Sequence, residues 1–248
     1  MFARELPAPL VLLRSEIMLM SLKLYFHPLA SFCQKALIAL YENGIQFEPV
    51  TVDLADEASS AAFRAVWPPA KMPVLRDDAR NRTVAESTMV IEYLDAFYPG
   101  PTRFLPADPD RLWQTRMWDR FYDHYVQEPM QKIVTDRLRP AGASDGYGVE
   151  QAKALLERSY ALLERELDTK TWMIGEAFTL ADCAAAPALF YANTVVPFGE
   201  PQGRLKAYLG RLMTRPSFVP VLEEAQPYFP FFPMERKPQI ARAGQAAD

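Results

Sequence analysis

The hydrophobic residues near the start of the chain follow two different periods. In residues 22–26 they alternate, as in a β-strand, and in residues 33–41 they recur every three or four positions, as on one face of a helix. Alternation returns in residues 50–54, and Pro49, which has no N–H to give, predicts that this second strand lies at the edge of a sheet. The pattern therefore predicts a β-α-β unit.

A hairpin and a further helix complete the first predicted domain. They follow an Ala-rich stretch, residues 57–66. Residues 72–76 and 83–85 are two short strand patterns separated by a polar turn, and residues 87–97 carry apolar side chains at helical spacing. A Pro-Gly-Pro run then breaks the chain. We predict an α/β domain over residues 21–101.

The rest of the chain has the apolar spacing of helices, which predicts an all-helical domain over residues 106–235. The predicted helices cover residues 108–139 with a kink at Pro129, 149–167, 179–195, 203–214 and 216–226. Thr179 and Asp182 have the spacing of a capping box, in which each side chain pairs with the other residue's backbone N–H.

The two ends of the chain carry weaker patterns. Residues 1–20 contain a short apolar run that prolines and charges interrupt, so we expect a leader outside the fold. Residues 236–248 are rich in Ala, Gly and Gln and are expected to be frayed. No stretch reaches the roughly 18 uncharged apolar residues of a membrane helix, which argues against a membrane protein.

Composition narrows the function classes. The chain has 248 residues, half of them hydrophobic, and a formal net charge of -4, so it lacks the basic surface that nucleic acid binding requires. Its two cysteines, Cys33 and Cys183, cannot form a disulfide framework or a Cys-based zinc site, and they fit a reducing cytoplasm. His27 and His124 lie in unrelated segments. We therefore expect no metal.

Met72-Pro73 stands at the start of a predicted strand. An X-Pro bond adopts the cis form at a cost of only about 0.5–1 kcal/mol. A cis bond here would turn Met72 outward, so that its N–H and C=O pair with an extended peptide as a short extra strand. The alternative is a trans proline that merely opens the strand.

Two predicted helix N-termini carry groups suited to a charged ligand. Ser31 and Gln34 have the spacing of a capping box, and Glu86-Ser87 lies where a strand meets a helix whose free N–H groups favour a carboxylate. Simple capping is the alternative at both places. Cys33 in the first helical turn is a candidate reactive thiolate, but it lies on the apolar stripe, which predicts burial.

Three motifs together resemble the glutathione transferase family. They are residues 31–35 (SFCQK), residues 71–75 (KMPVL) followed by Glu86-Ser87, and residues 178–182 (FTLAD). The resemblance covers residues 21–235. It implies an α/β thioredoxin-like N-terminal domain followed by an all-α C-terminal domain.

The resemblance also implies a role for each motif. Met72, before Pro73, would bind the cysteinyl backbone of glutathione, Glu86 and Ser87 its γ-glutamyl end, and Lys71 its glycyl carboxylate. A cytoplasmic homodimer with a role in detoxification is implied as well. The second substrate would be a small, apolar electrophile.

The resemblance does not decide which residue activates the sulfur of glutathione, because related proteins often carry the active Ser or Cys where this chain has Ala30. Ser31 is our candidate, with Cys33 as its rival and backbone N–H groups alone as a third option.

We therefore expect a glutathione transferase. The alternatives are a glutathione-dependent thiol oxidoreductase or isomerase that uses Cys33, and a non-catalytic binding or regulatory protein. The resemblance implies that two segments rich in aromatic residues, residues 113–122 and 229–234, line the pocket for the electrophile; most of these aromatics are expected in the core, and which of them face the cleft stays open.

Overall fold

The computed structural model describes residues 22–240 and begins with a four-stranded mixed sheet. Its strands are β1 (Leu22–Phe26), β2 (Glu48–Thr51), β3 (Val74–Asp77) and β4 (Arg82–Ala85). The order across the sheet is β2-β1-β3-β4, with β2 parallel to β1 and the other pairs antiparallel. Strand β2 lies at the edge, as Pro49 predicted.

Three helices accompany this sheet. They are α1 (Ser31–Glu42), α2 (Glu57–Val66) and α3 (Ser87–Phe97). Helix α2 is the Ala-rich stretch for which the apolar pattern predicted no element, and the Asp56 side chain caps it by accepting from the Ser59 N–H. With its βαβ and hairpin units, this part of the chain has the predicted thioredoxin-like α/β fold.

The second part is all-helical, as predicted. Its helices are α4 (Pro109–Phe121), a π-helical segment (Tyr122–Gln127), α5 (Glu128–Asp136), α6 (Gly146–Glu166), α7 (Leu180–Val195), α8 (Gly203–Met213), α9 (Val219–Ala225) and a 3-10 segment (Gln226–Phe231). The single long helix predicted over residues 108–139 is thus divided. The wide π segment ends two residues before Pro129, whose missing N–H removes one ordinary helical hydrogen bond.

Helix α7 forms the centre of a core that both domains share. It is buried along almost its whole length and packs against α1 of the α/β domain. Its N-terminus has the predicted capping pair, because Asp182 Oδ2 accepts from the Thr179 N–H at 2.8 Å and from the Thr179 hydroxyl at 3.0 Å. On the other side of the core, Arg215 binds the Glu42 carboxylate through two hydrogen bonds and so joins the domains.

Two local predictions are wrong. Strand β2 covers residues 48–51 rather than 50–54, because after Val52, whose N–H donates to the Phe26 carbonyl, the chain leaves the sheet and Leu54 is exposed. The Ser31–Gln34 capping box is absent, because Ala30 is the N-cap residue of α1 and Ser31 is already helical. The Gln34 side chain instead points into the core and donates to the Pro28 carbonyl and the Tyr191 hydroxyl.

The predicted leader, residues 1–20, lies outside the described residues, as do residues 241–248 of the predicted tail. Within residues 236–240, Pro238 is buried and Ile240 packs against the core. No helix between residues 22 and 240 is long and apolar enough to cross a membrane.

Candidate functional site

A cleft of about 520 Å³ separates the two domains. The α/β domain contributes its β1–α1 turn and the segment before β3, including Ser31 and Met72, and the helical domain contributes the end of the π segment and α5, including Gln127 and Met130. The C-terminal segment closes one side through Phe232. Most lining side chains are apolar, so the cleft suits an apolar ligand part next to a few polar groups.

The N-terminus of helix α1 opens into this cleft. The N–H groups of Cys33 and Gln34 both bond to the Ala30 carbonyl, whereas those of Ser31 and Phe32 have no acceptor among residues 22–240. Ser31 is 6% exposed, and its hydroxyl also has no hydrogen-bond partner within the described chain. Free donors at the positive end of a helix favour a bound anion such as a thiolate.

Cys33 is placed differently from Ser31. Its side chain is fully buried, as the apolar stripe predicted, and burial raises the pKa of its thiol to about 12. The thiol is therefore protonated at neutral pH and shielded from the cleft. This geometry favours Ser31 over Cys33 as the group that contacts a bound sulfur.

The Met72-Pro73 peptide bond is cis, as the sequence predicted. Met72 lines the cleft, and neither its N–H nor its C=O bonds to backbone elsewhere in the described chain. Lys71 is exposed and lines the same cleft. The two residues therefore present one backbone donor, one backbone acceptor and one cation beside Ser31.

Glu86 and Ser87 lie at the predicted strand–helix junction but do not line the cleft that contains Ser31. Glu86 is the exposed N-cap residue of α3 with a positive φ of 69°, and Ser87 is the buried first helical residue. Glu86 lines a neighbouring depression of about 400 Å³ together with Arg116 and Arg120. The structure thus divides the sequence-predicted ligand groups between two adjoining surfaces.

A buried ionic network connects these surfaces, and the sequence patterns did not indicate it. Lys35, only 1% exposed, places its Nζ 2.6 Å from Asp119 Oδ1 and 2.9 Å from Asp123 Oδ1, and donates to the Thr88 hydroxyl at 2.9 Å. Arg120 pairs with the same two carboxylates. Burial raises the pKa of Asp123 although Lys35 opposes it. The network fastens α1, one turn after Ser31, to α3 and α4.

The expected aromatic lining is only partly present. Trp113 and Met117 are exposed and lie outside the cleft lining, and Trp118 is buried. In the C-terminal segment, residues 231–233 do line the cleft. On the helical wall the sequence analysis missed Gln127 and Tyr191, since a lone Gln or Tyr within a helix gives no signal of its direction.

Comparison with known proteins defines the class to which this fold and site belong. The family model for the glutathione S-transferase N-terminal domain matches residues 24–102, and the model for the glutathione S-transferase C-terminal domain matches residues 122–216. The glutathione S-transferase-like protein LUC7 of Fusarium is 30% identical over 64% of this chain and 71% of its own length. The chain therefore belongs to the glutathione S-transferase family.

Other similar proteins match over most of their length. The Sphingobium protein LigF, named a beta-etherase, is 27% identical over 84% of this chain and 95% of its own length. Its crystal structure superposes with a TM-score of 0.70 at 25% identity, over 83% of this chain and 100% of that one. A Methylobacillus flagellatus glutathione S-transferase with bound glutathione gives a TM-score of 0.73 at 25% identity over 81% of this chain and 98% of that one.

Proposed function

We propose that the protein is a glutathione transferase that activates the thiol of glutathione for attack on an electrophilic apolar substrate. The observation that carries the proposal is that the Ser31 donors at the start of α1 have no acceptor within residues 22–240 and lie in the same cleft as the Met72 backbone groups, which likewise bond to no backbone there. The glutathione-bound relative with the same fold supports it.

In the proposed complex, the backbone of Met72 pairs with the cysteinyl residue of glutathione, and Lys71 lies near its glycyl carboxylate. Glu86 receives the γ-glutamyl end in the depression that it lines, next to buried Ser87 at the start of α3. The Ser31 donors lower the pKa of the thiol, which is about 8.5 when unperturbed. The thiolate then attacks the electrophilic carbon, a C–S bond forms, and the leaving group departs with its electron pair.

Replacing Ser31 by alanine tests this proposal. We expect the pKa of enzyme-bound glutathione to rise by about one unit, because one hydrogen bond to the thiolate is lost. At pH values below the lowered pKa, the rate of conjugation of a generic aromatic electrophile then falls about tenfold. Above pH 9, where both proteins hold thiolate, the rate approaches that of wild type. Thiolate absorbance and the pH dependence of kcat/KM measure the shift.

Cys33→Ala is the matched control in the same turn. The buried thiol of Cys33 argues against the thiol oxidoreductase or isomerase alternative, so this variant should keep the wild-type pH profile. A loss of turnover in Cys33→Ala with an unchanged Ser31→Ala would reverse the assignment.

Retention on immobilised glutathione without conjugation would instead support a non-catalytic binding protein. Because LigF is named a beta-etherase, an aryl ether belongs in the substrate panel.

The proposal includes a cytoplasmic homodimer with a role in detoxification. Three large apolar side chains are exposed on neighbouring helices outside the cleft, Met89 on α3 and Trp113 and Met117 on α4, and Trp113 is 56% exposed. Such a patch suits a second copy of the chain. We expect wild-type protein to sediment as a dimer and Trp113→Glu to shift toward monomer, while Tyr147→Glu, at a still more exposed aromatic on α6, stays dimeric.

A further inference from the structure

Gln127 on the cleft wall is a buried amide without a partner in the described part of the chain. It is 4% exposed, and its Oε1 atom has almost no accessible surface and no hydrogen-bond partner there. Its Nε2 also makes no hydrogen bond within residues 22–240. A primary amide offers two donors and an acceptor, and buried polar groups in native proteins are normally paired. With the oxygen enclosed, the nitrogen is the atom left for a ligand.

The backbone around Gln127 is unusual as well. Gln127 is the last residue of the π-helical segment, and such segments are rare and frequently occur at functional sites. Besides the cleft, Gln127 lines a narrow crevice, too small to hold a water molecule, together with Ser31 and Pro187. The amide therefore lies within side-chain reach of the residue that we assign to the sulfur.

A second donor lies close by on helix α7. Tyr191 lines the cleft one helical turn after Pro187, about 6 Å along the helix axis. Its oxygen accepts from Gln34 Nε2 at 2.9 Å, its ring stacks on Phe232, and its own O–H has no acceptor in the described part of the chain. Burial raises the pKa of Tyr191, so the hydroxyl keeps its proton.

From the placement of these two side chains we infer that Gln127 and Tyr191, both on the helical wall of the cleft, bind an oxygen acceptor of the second substrate, a carbonyl or ether oxygen on or next to the attacked carbon. This inference rests on the proposed function and names its substrate class. The rest of the cleft is apolar and accommodates the aryl or alkyl part. The pair donates hydrogen bonds only. The C–S bond forms, the bond to the leaving group breaks, and no proton leaves either residue.

The test compares 2-chloroacetophenone, which carries a carbonyl beside the attacked carbon, with benzyl chloride, which has none. Each kcat/KM is divided by the uncatalysed rate with glutathione. For Gln127→Met we expect this ratio to fall about tenfold for the ketone and by less than about threefold for benzyl chloride. Tyr191→Phe should likewise lower the ratio more for the ketone than for benzyl chloride. Gln131→Met, an exposed glutamine one turn along the cleft wall, should change both ratios equally.

A binding measurement separates this inference from the proposed function. Acetophenone and ethylbenzene are unreactive and differ by the carbonyl, so NMR titration of both against wild type and Gln127→Met reads the recognition without catalysis. We expect wild type to prefer acetophenone severalfold and the variant to lose the preference. Equal affinities in wild type, or equal losses for both electrophiles in the variants, would overturn the inference. If wild type prefers acetophenone and Gln127→Met loses that preference, but neither protein conjugates glutathione, the inference about Gln127 stands and the proposed transferase activity is refuted.

Discussion

Replacing Lys35 by methionine is expected to lower the free energy of unfolding by about 3–5 kcal/mol. The change removes the buried ammonium that lies between Asp119 and Asp123 and leaves two carboxylates facing each other, with the half-exposed Arg120 as the cation that still pairs with them. Breaking a buried ion pair costs far more than losing an exposed one, because the remaining charge stays desolvated. Urea unfolding followed by circular dichroism measures the loss.

The pH dependence of this variant follows from the same groups. Without Lys35, the pKa of Asp123, which burial already raises, rises further. At pH values between the pKa of Asp in the unfolded chain, near 4, and the raised pKa of Asp123 in the folded variant, the folded variant holds a proton that the unfolded chain has released. Its stability therefore falls as pH rises, and the deficit against wild type should be smallest near pH 4 to 5 and largest near pH 7.

Two further variants make the result specific. Lys153→Met removes a surface lysine that pairs with Glu150 on α6, so it should cost far less and show no such pH dependence. Lys35→Met combined with Asp123→Asn should recover part of the lost stability, since one uncompensated charge is gone. Equal costs for Lys35→Met and Lys153→Met would contradict a stabilising role for the buried network.

The features that could be predicted from the sequence are local. The Thr179–Asp182 capping pair and the edge position of the strand with Pro49 each depend on a few neighbouring residues, and both are present. The Met72-Pro73 dipeptide likewise limited the backbone to two geometries, of which the structure has cis. Short-range stereochemistry determines such features, so a single sequence carries their signal.

The features that were missed depend on contacts between distant segments. Lys35 and Asp123 are 88 positions apart, and nothing near either residue indicates the pairing. Ser31 and Gln34 have the spacing of a capping box, yet the helix starts one residue earlier because the nearby Pro28 carbonyl and the distant Tyr191 hydroxyl hold the Gln34 side chain in the core. Tertiary packing here overrides a local preference.

The candidate site shows the same division. The sequence motifs located Ser31 and Met72, which the structure brings to one cleft, because both are backbone features at element ends. The helical wall carries no motif, so Gln127 and Tyr191 became visible only when the π segment and α7 were placed against α1. The residues that we propose for glutathione could thus be predicted from the sequence, whereas those that we propose for the second substrate required the fold.

Replacing Asp182 by alanine is the second large change, and we expect it to cost about 3–5 kcal/mol. Asp182 is fully buried, and besides the two Thr179 donors its Oδ1 accepts from the Met173 N–H at 2.8 Å and the Tyr208 hydroxyl at 2.6 Å. The alanine variant leaves all four donors without an acceptor in the core, where each unpaired donor costs about 1–3 kcal/mol before relaxation.

Asp108→Ala is the matched control, because Asp108 is also an N-terminal helix cap but is exposed and accepts only from the Arg111 N–H, so its loss should cost about 1 kcal/mol. Asp182→Asn should fall between the two, since one amide oxygen still accepts while its NH₂ group meets donors. Similar costs for Asp182→Ala and Asp108→Ala would mean that Asp182 acts only as a local cap. A much larger cost for Asp182→Ala would show that this carboxylate ties α7 to Met173 and to α8 through Tyr208, and so holds the wall from which Tyr191 meets the cleft.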